Sequence, residues 1–294
     1  MSKGQKYDRR REDIGNVVAL EHVNVCIPDQ RLATLFYIAG LGLTRDPYLV
    51  TSVTNMWVNA GRTQFHLPTN DPLVVRGTIG MVIPDRKGLL KRLAGVKQML
   101  KGTKFSFRVE KGYVSATCPW GNRFRIHTPS KRFGRTALGI VYVEFGVPKG
   151  NADGIARFYR DIVGAPSRIS RAGGGRAAHV QVGDNQELVF RETAGKIAPF
   201  DGHHIQIYIA DFSGPYEKLL DRGLVSEESS QHQYRFEDIV DPDTGEVLFT
   251  LDHEMRSLTH PLFARPLVNR NPDQTNQQFG AGHETRSWAL PYAG

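Results

Sequence analysis

Three histidines stand where an imidazole on a strand could do chemistry: His22, His66 and His204. An imidazole changes charge near neutral pH and is a common metal ligand, so it serves acid–base work and coordination alike. His22 lies in Leu20-Glu21-His22-Val23-Asn24-Val25-Cys26-Ile27, where Val23, Val25 and Ile27 alternate as in a half-buried strand. One histidine among such neighbours reads equally as a core or interface residue. What turns the reading toward chemistry is that the same stretch recurs downstream. Gln64 and His66, two residues apart in Thr63-Gln64-Phe65-His66-Leu67-Pro68, share a strand face. Cys26 and Cys118 are the only cysteines; they form neither a disulfide framework nor a zinc-finger spacing, and a reducing cytoplasm is the expected compartment.

The elements that must position these residues repeat four times. The first strand stops at Pro28-Asp29, and Leu32, Leu35, Phe36 and Ile38 follow at near-helical spacing until Gly40 and Gly42. Strands at 55–58 and 63–68 complete the unit. The second unit opens with Thr78-Ile79-Gly80-Met81-Val82-Ile83-Pro84-Asp85, the third with Gly139-Ile140-Val141-Tyr142-Val143-Glu144, and the fourth with His204-Ile205-Gln206-Ile207-Tyr208-Ile209. Matching landmarks lie roughly 120 residues apart, which is a domain-sized period and not a solenoid repeat. Each unit reads βαβββ and leaves one sheet face uncovered, so units must pair to bury a core. The expected class is therefore α+β: four βαβββ units paired into two tandem cup-shaped modules. Consecutive pairing gives a polar basic tail over 1–15, modules over 16–132 and 136–255, and an extension over 256–294.

Composition bounds the partners. The chain has 294 residues, 40% hydrophobic and 23% charged, an ordinary globular balance, and no apolar run of membrane-spanning length. The stretch 1–12 is polar and carries Asp8 and Glu12, unlike a secretory or transit leader. The net charge of +8 falls partly on Lys3, Lys6, Arg9, Arg10 and Arg11 and partly on a helix face with Lys87, Lys91, Arg92 and Lys97. Neither stretch interleaves aromatics as a nucleic-acid platform does. No nucleic acid and no membrane are expected as partners; an anionic small molecule is compatible with the charge. After residue 263 the chain turns rich in Asn, Gln, Pro and Gly, yet it carries Trp288, Leu290 and Tyr292 near its end. It reads either as disordered or as a segment packed across a module or a partner subunit of a homo-oligomer.

The pattern Leu-x-His-Val-x-Val-x-Ile-Pro-Asp, with Phe36-Tyr37-Ile38-Ala39-Gly40-Leu41-Gly42 at the helix end, resembles the vicinal oxygen chelate superfamily. That superfamily includes glyoxalases, bleomycin-resistance proteins and extradiol dioxygenases. Its turn before the last strand is matched by Cys118-Pro119-Trp120-Gly121-Asn122 and Asp241-Pro242-Asp243-Thr244-Gly245, and the resemblance covers residues 17–254. It implies a divalent metal in a cup, open to two neighbouring oxygens of a substrate. Fe(II) is the first expectation, with Mn(II) and Zn(II) as others. By this resemblance His22 and His66 are metal ligands in the N-terminal module. His204 is a ligand or acid–base group in the C-terminal one, and His232 matches the acid–base histidine of extradiol enzymes.

Departures from the pattern open alternatives. The last-strand glutamate of the second unit is Arg125, which suits an anionic group. Tyr142 replaces a first-strand histidine, with Glu144 on its face, and the last strand of the fourth unit offers Thr250 or Asp252. Tyr142, His204 and His232 are then the expected catalytic groups, and Arg125, Glu144, Thr250 and Asp252 the substrate-binding ones, with Tyr142, Glu144 and His204 expected in one pocket. The resemblance implies a metal-dependent oxidoreductase of ring-cleaving dioxygenase type acting on a small hydroxylated aromatic. The alternatives are a metal-free sequestering protein and a glyoxalase-type lyase or isomerase.

Overall fold

A computed structural model describes residues 7–49, 52–171 and 175–272. The first unit is β1 (Val17–Asn24), α1 (Gln30–Ala33, continued with π-helical winding over Thr34–Gly40), β2 (Thr44–Arg45), β3 (Asn55–Ala60) and β4 (Thr63–Pro68). The second is β5 (Gly77–Val82), α2 (Arg86–Val96), β6 (Ser106–Glu110), β7 (Tyr113–Thr117) and β8 (Arg123–His127). The third is β9 (Gly139–Pro148), α3 (Ala152–Phe158, continued as Tyr159–Val163), β10 (Ser167–Ser170), β11 (Ala177–Gln181) and β12 (Glu187–Thr193). The fourth is β13 (His204–Ile209), α4 (Ser213–Leu220), β14 (Val225–Ser230), β15 (Gln233–Val240) and β16 (Val247–Ser257). Helix starts follow their caps: Asp29 accepts from the backbone N–H groups of Arg31 and Leu32, and Asp85 from that of Gly88. Among the described residues no helix is long and apolar enough to cross a membrane.

The strands form two eight-stranded sheets, as the α+β reading expects. One has the order β14-β15-β16-β13-β1-β4-β3-β2 and the other β10-β11-β12-β9-β5-β8-β7-β6. The first sheet joins the first unit to the fourth, and the second joins the second to the third. Expected pairing of consecutive units is corrected here. Each sheet is closed at its centre by an antiparallel pair of opening strands, β1 with β13 and β5 with β9. Strand alternation assigns side chains to faces, but the opening strands are similarly apolar, so alternation carries no information on which of them pair.

Helix-facing residues of both sheets make the core. Val23, Val25, Phe65 and Leu67 share one buried cluster with Phe36, Tyr37, Ile205, Ile207, Leu251 and Met255, and Tyr37 meets Phe65 with ring centroids 5.2 Å apart. Polar joints tie one sheet to the other. The Gln186 side chain accepts from the Leu20 N–H at 3.0 Å and donates to the carbonyls of Leu20 at 2.8 Å and Ile140 at 3.1 Å. Thr63 Oγ1 accepts from the Ile140 N–H at 2.9 Å. Gly61 turns β3 into β4 at φ +65°, and a Cβ there would meet the Leu138 carbonyl oxygen at 1.9 Å, so only glycine allows this approach.

His253 shows the alternation at work. Its neighbours Asp252 and Glu254 face the concave side, whereas its ring stacks on Phe236 with centroids 4.1 Å apart in the helix-side core. Nδ1–H donates to the Leu251 carbonyl at 2.5 Å, and Nε2 accepts from Tyr159 Oη at 2.6 Å, so the ring is neutral. Burial lowers its pKa to about 3, against the opposing pull of the Leu251 carbonyl. The folded pKa lies below the ordinary histidine value of about 6.5, so unfolding takes up a proton as pH falls. Its contribution to stability is present above that value and is lost as pH drops toward 3. His253→Gln should cost stability at pH 7, with the deficit narrowing by about 1 kcal/mol per pH unit between pH 6 and 4. Urea unfolding in chelator across that range measures it; a deficit independent of pH would contradict the assignment.

Candidate metal centre

The concave face of the first sheet gathers side chains from four strands. β1 supplies His22 and Asn24, β4 Gln64 and His66, β13 His204 and Gln206, and β16 Asp252, Glu254 and Arg256. His22, His66 and His204 each present a ring nitrogen within 4.8 Å of the other two. His204 therefore joins His22 and His66 in one cup and does not belong to a separate one. Their rings meet edge to face, with His22 5.9 Å from His66 and 5.7 Å from His204.

Neighbours fix each ring. Trp57 stacks on His66 with centroids 3.9 Å apart and meets His22 edge-on at 5.0 Å. Glu21 Oε2 lies 3.3 Å from His22 Nδ1, and Asn24 Nδ2 lies 2.6 Å from His66 Nδ1. Exchanging Nδ2 for Oδ1 by an amide flip would let His66 Nδ1–H donate to Asn24 and leave the Nε2 lone pair for a ligand. A carboxylate at the outer nitrogen, as Glu21 is at His22, is a usual partner of a metal-binding histidine.

Besides Glu21 at His22, two carboxylates flank His204. Glu254 Oε2 lies 3.3 Å from His204 Nε2, outside hydrogen-bonding geometry, and is also 2.5 Å from Arg235 Nη2. Asp252 Oδ2 stands 3.7 Å from His204 Nδ1 and 2.6 Å from Arg235 Nη1. Arg256 reaches both Glu254 Oε1, at 2.5 Å, and Glu21 Oε2, at 3.5 Å.

Charge in this cup is set by burial and neighbours. Burial drives the pKa of His22 well below the ordinary histidine value and that of His66 down to about 3, so both rings are neutral, as ligation requires. Burial pushes Glu21 up to about 7 although Arg256 opposes it. Burial would raise Glu254 as well, but His204, His22 and Arg256 outweigh it and hold the carboxyl below the usual range.

The donor set fits a divalent ion. His22 Nε2, His66 Nε2, His204 Nε2 and both polar atoms of Gln206 are buried without a hydrogen-bond partner in the protein, all in this one cup. Each such group costs about 1–3 kcal/mol if left unmet. Imidazole nitrogens with one ionised carboxylate suit Zn(II), Fe(II), Co(II) or Ni(II), whereas an all-oxygen set would favour Mg(II).

Other expected site residues lie elsewhere. Tyr142, Glu144 and Arg125 face the second cup, where Arg125 Nη1 is 3.1 Å from Glu144 Oε1 and Tyr142 Oη is 3.0 Å from His127 Nε2. The expectation that Tyr142 and Glu144 share a pocket with His204 is thus corrected, because their strands belong to different sheets. His232 sits in the turn between β14 and β15, its Nδ1 3.2 Å from Thr259 Oγ1, and does not join the three imidazoles. Thr250 donates to Asp238 Oδ1 at 2.9 Å, while its carbonyl accepts from Arg76. Reading the last strand only as far as Asp252 misses Glu254. Continuing the alternation one step from Thr250 and Asp252 reaches it. Alternation also misses Glu21, because a bulge between Leu20 and His22 turns it toward the same cup as its neighbour.

The segment after β16 crosses this cup. Phe263 packs edge-on against Tyr208 at 4.9 Å, and Arg265 Nη2 donates to Asp46 Oδ2 at 2.8 Å. Asn59 donates to the Val268 carbonyl at 2.9 Å, and Asn269 exchanges two hydrogen bonds with the Gly61 backbone, both 2.9 Å. The packed-back reading of the extension holds over this stretch; Trp288, Leu290 and Tyr292 lie outside the described residues.

No family model matches the chain, and no curated protein matches its sequence. Solved structures do. A point mutant of glyoxalase I from Zea mays aligns with a TM-score of 0.59 at 15% identity, over 82% of this chain and 92% of that one. Glyoxalase I from the same plant gives 0.57 at 14% identity, over 86% and 96%. A protein described as a putative dioxygenase from Bacillus subtilis subsp. subtilis str. 168 gives 0.55 at 13% identity, over 86% and 91%. At such identities the likeness is one of fold.

If the three imidazoles hold a metal, His22→Ala and His204→Ala should each lower divalent-metal affinity by at least about 100-fold, and Asn24→Ala by about 10-fold. Metal content after dialysis, with circular dichroism as the folding control, checks this. Unchanged stoichiometry in the His22→Ala/His204→Ala double variant would remove these residues from the site.

Proposed function

From the vicinal oxygen chelate fold of this chain, we propose a metal-dependent enzyme that moves a proton on a small substrate presenting two neighbouring oxygens, in the manner of an isomerase or lyase. The observation that carries this reading is the gathering, within one buried cup, of three imidazole ring nitrogens beside a carboxyl whose pKa lies near neutrality. His22, His66 and His204 would hold the ion, with Glu254 as the charged donor beside them. A divalent metal held there would polarise a carbonyl and so acidify the adjacent carbon.

Glu21 is the group suited to take that proton. Its Oε2 holds His22 Nδ1 at 3.3 Å, and its Oε1 accepts from Tyr208 Oη at 3.5 Å. A carboxyl raised to about 7 is half ionised at physiological pH, which is the condition for efficient proton exchange in both directions. Arg256 stands by Glu21 and Glu254 to offset negative charge, and the crossing segment with Phe263 keeps water from Tyr208.

Ring-cleaving oxygenation of a small hydroxylated aromatic is the second reading. Glu254 favours it, because His22, His204 and Glu254 are the two-histidine, one-carboxylate set that the extradiol resemblance implies, with Fe(II) as the ion. The acid–base groups expected for that chemistry, His232 and Tyr142, lie outside the cup, so the proton-transfer reading stands first.

Hydroxyacetone in D₂O separates the two. Metal-loaded protein should exchange the substrate's carbon-bound protons, seen by NMR, and Glu21→Gln, assayed at saturating metal, should slow this by about 100-fold or more. Oxygen uptake with catechol that requires Fe(II) and persists in Glu21→Gln, without proton exchange, would replace this reading by oxygenation.

A further inference from the structure

The second sheet repeats the cup with its charge inverted. In the first cup His22 lies across from Gln64 and Gln206, and Gln206 lies across from Glu254. In the second, Tyr142 lies across from Glu187 and Gly80, and Gly80 lies across from Arg125. Arg125 therefore occupies the place of Glu254, and Tyr142 that of His22. Glu144 pairs with both Thr78 and Val189, as Asn24 does with His204 and His66, so Thr78 and Val189 stand in for those two histidines. Every metal donor is replaced, and the carboxylate is replaced by a cation.

This cup opens into a cavity of about 380 Å³. Its walls carry Lys111, Arg125, Arg132 and Arg191 against Glu144 and Glu187, four cationic side chains to two carboxylates. Glu144 is shared, with Arg125 at 3.1 Å and Arg191 at 3.3 Å, and Glu187 is held by Arg168 at 2.7 Å from outside the wall. Both carboxylates are therefore already compensated, and the positive excess faces the cavity. A guanidinium has five N–H donors in a planar fork, of which Glu144 takes only part at Arg125.

One side of the cavity is aromatic, with rings tilted about 50° to one another. His127 lies 5.7 Å from the ring of Tyr113 and 4.9 Å from that of Phe133, and its Nε2 is bonded to Tyr142 Oη. Tyr142 lies over Gly80 so closely that a Cβ there would meet its Cζ at 2.1 Å. The glycine is what lets the ring lie back against the sheet and leaves the cavity open.

We propose that the second cup binds a small aromatic carboxylate, its oxyanion toward Arg125, Arg132 and Lys111 and its ring against Tyr113, His127 and Tyr142. This site is separate from the metal cup and does not depend on the function assigned there. An aromatic acid satisfies both features, because two oxygens match the guanidinium fork and its ring packs among the tilted rings of the wall.

Calorimetric titration of the full chain, in EDTA to silence the metal cup, tests this with benzoate and its neutral isostere benzamide. Benzoate should bind saturably and weaken as salt rises, with benzamide at least tenfold weaker. Arg125→Gln and Arg132→Gln should each lower benzoate affinity about tenfold or more, as loss of one charge-assisted contact does. Gly80→Ala should abolish binding by pushing the Tyr142 ring into the cavity. Should Arg125→Gln fail to fold, Arg132→Gln carries the test, since Arg132 lies exposed at the rim. No saturable binding of benzoate to about 10 mM, equal binding of benzamide, or affinity unaffected by the foldable arginine variants would overturn the proposal.

Discussion

Antiparallel pairing of β1 with β13 is the contact on which the metal cup depends. It sets His22 opposite Gln206 and Asn24 opposite His204, and so brings the ends of a long chain into one hydrogen-bonded sheet. Neither the first unit nor the fourth holds a donor set alone. His22 and His66 come from one, His204 and Glu254 from the other, and only this register puts the three ring nitrogens within 4.8 Å. A slip by one residue would turn His204 toward the helices and Ile205 into the cup. The pairing also dictates the rest of the topology: with the first and fourth units joined, the second and third are left to each other, and β5 with β9 closes the second sheet.

How much of this could be read in the sequence follows from what periodicity encodes. Strand alternation and helix stops mark out the four βαβββ units, because burying one face of a strand leaves a period of two in the residues themselves. The same period places His22, His66 and His204 on strand faces. It does not say that these faces meet, since partner choice among similarly apolar opening strands is decided by the assembled sheet. Hence alternation groups Tyr142 and Glu144 with His204 although a different sheet carries them. Glu21 is illegible for a local reason: the β1 bulge breaks the alternation that would have sent it away from His22. His232 shows the converse limit, a motif position matched in the chain that packs on Thr259 outside the cup.

The two cups share a scaffold and differ in what their low-dielectric interiors must neutralise. In the first, burial, helped by neighbouring positive charge, makes His22 and His66 neutral, and Glu254 stays ionised only because cationic and hydrogen-bonding neighbours offset its desolvation. Such a cup favours a cation. In the second, Arg125 in the carboxylate's place makes ion pairs with Glu144, and any added cation would meet guanidinium charge at close range. Helix-side residues of the two sheets are alike in kind, so divergence falls on the concave face, where a substitution leaves the core untouched. Function can differ between cups without cost to the fold.

The segment after β16 couples cover to chemistry. It is anchored at its far end to the first unit, through Asn269 on Gly61 and Arg270 on Thr44, and at its near end Phe263 lies on Tyr208. Tyr208 is in turn the hydroxyl neighbour of Glu21, whose raised pKa comes first from burial. Water admitted over Tyr208 would solvate the Glu21 carboxylate and draw its pKa back toward an ordinary value, and it would weaken each ion pair of Arg256 as the local dielectric rises. The residues that would hold a metal thus sit on the sheet, whereas the electrostatics that give Glu21 its proton affinity are completed by a strand-free stretch of chain. Sheet register fixes where the ligands stand, and the crossing segment fixes how strongly their surroundings act.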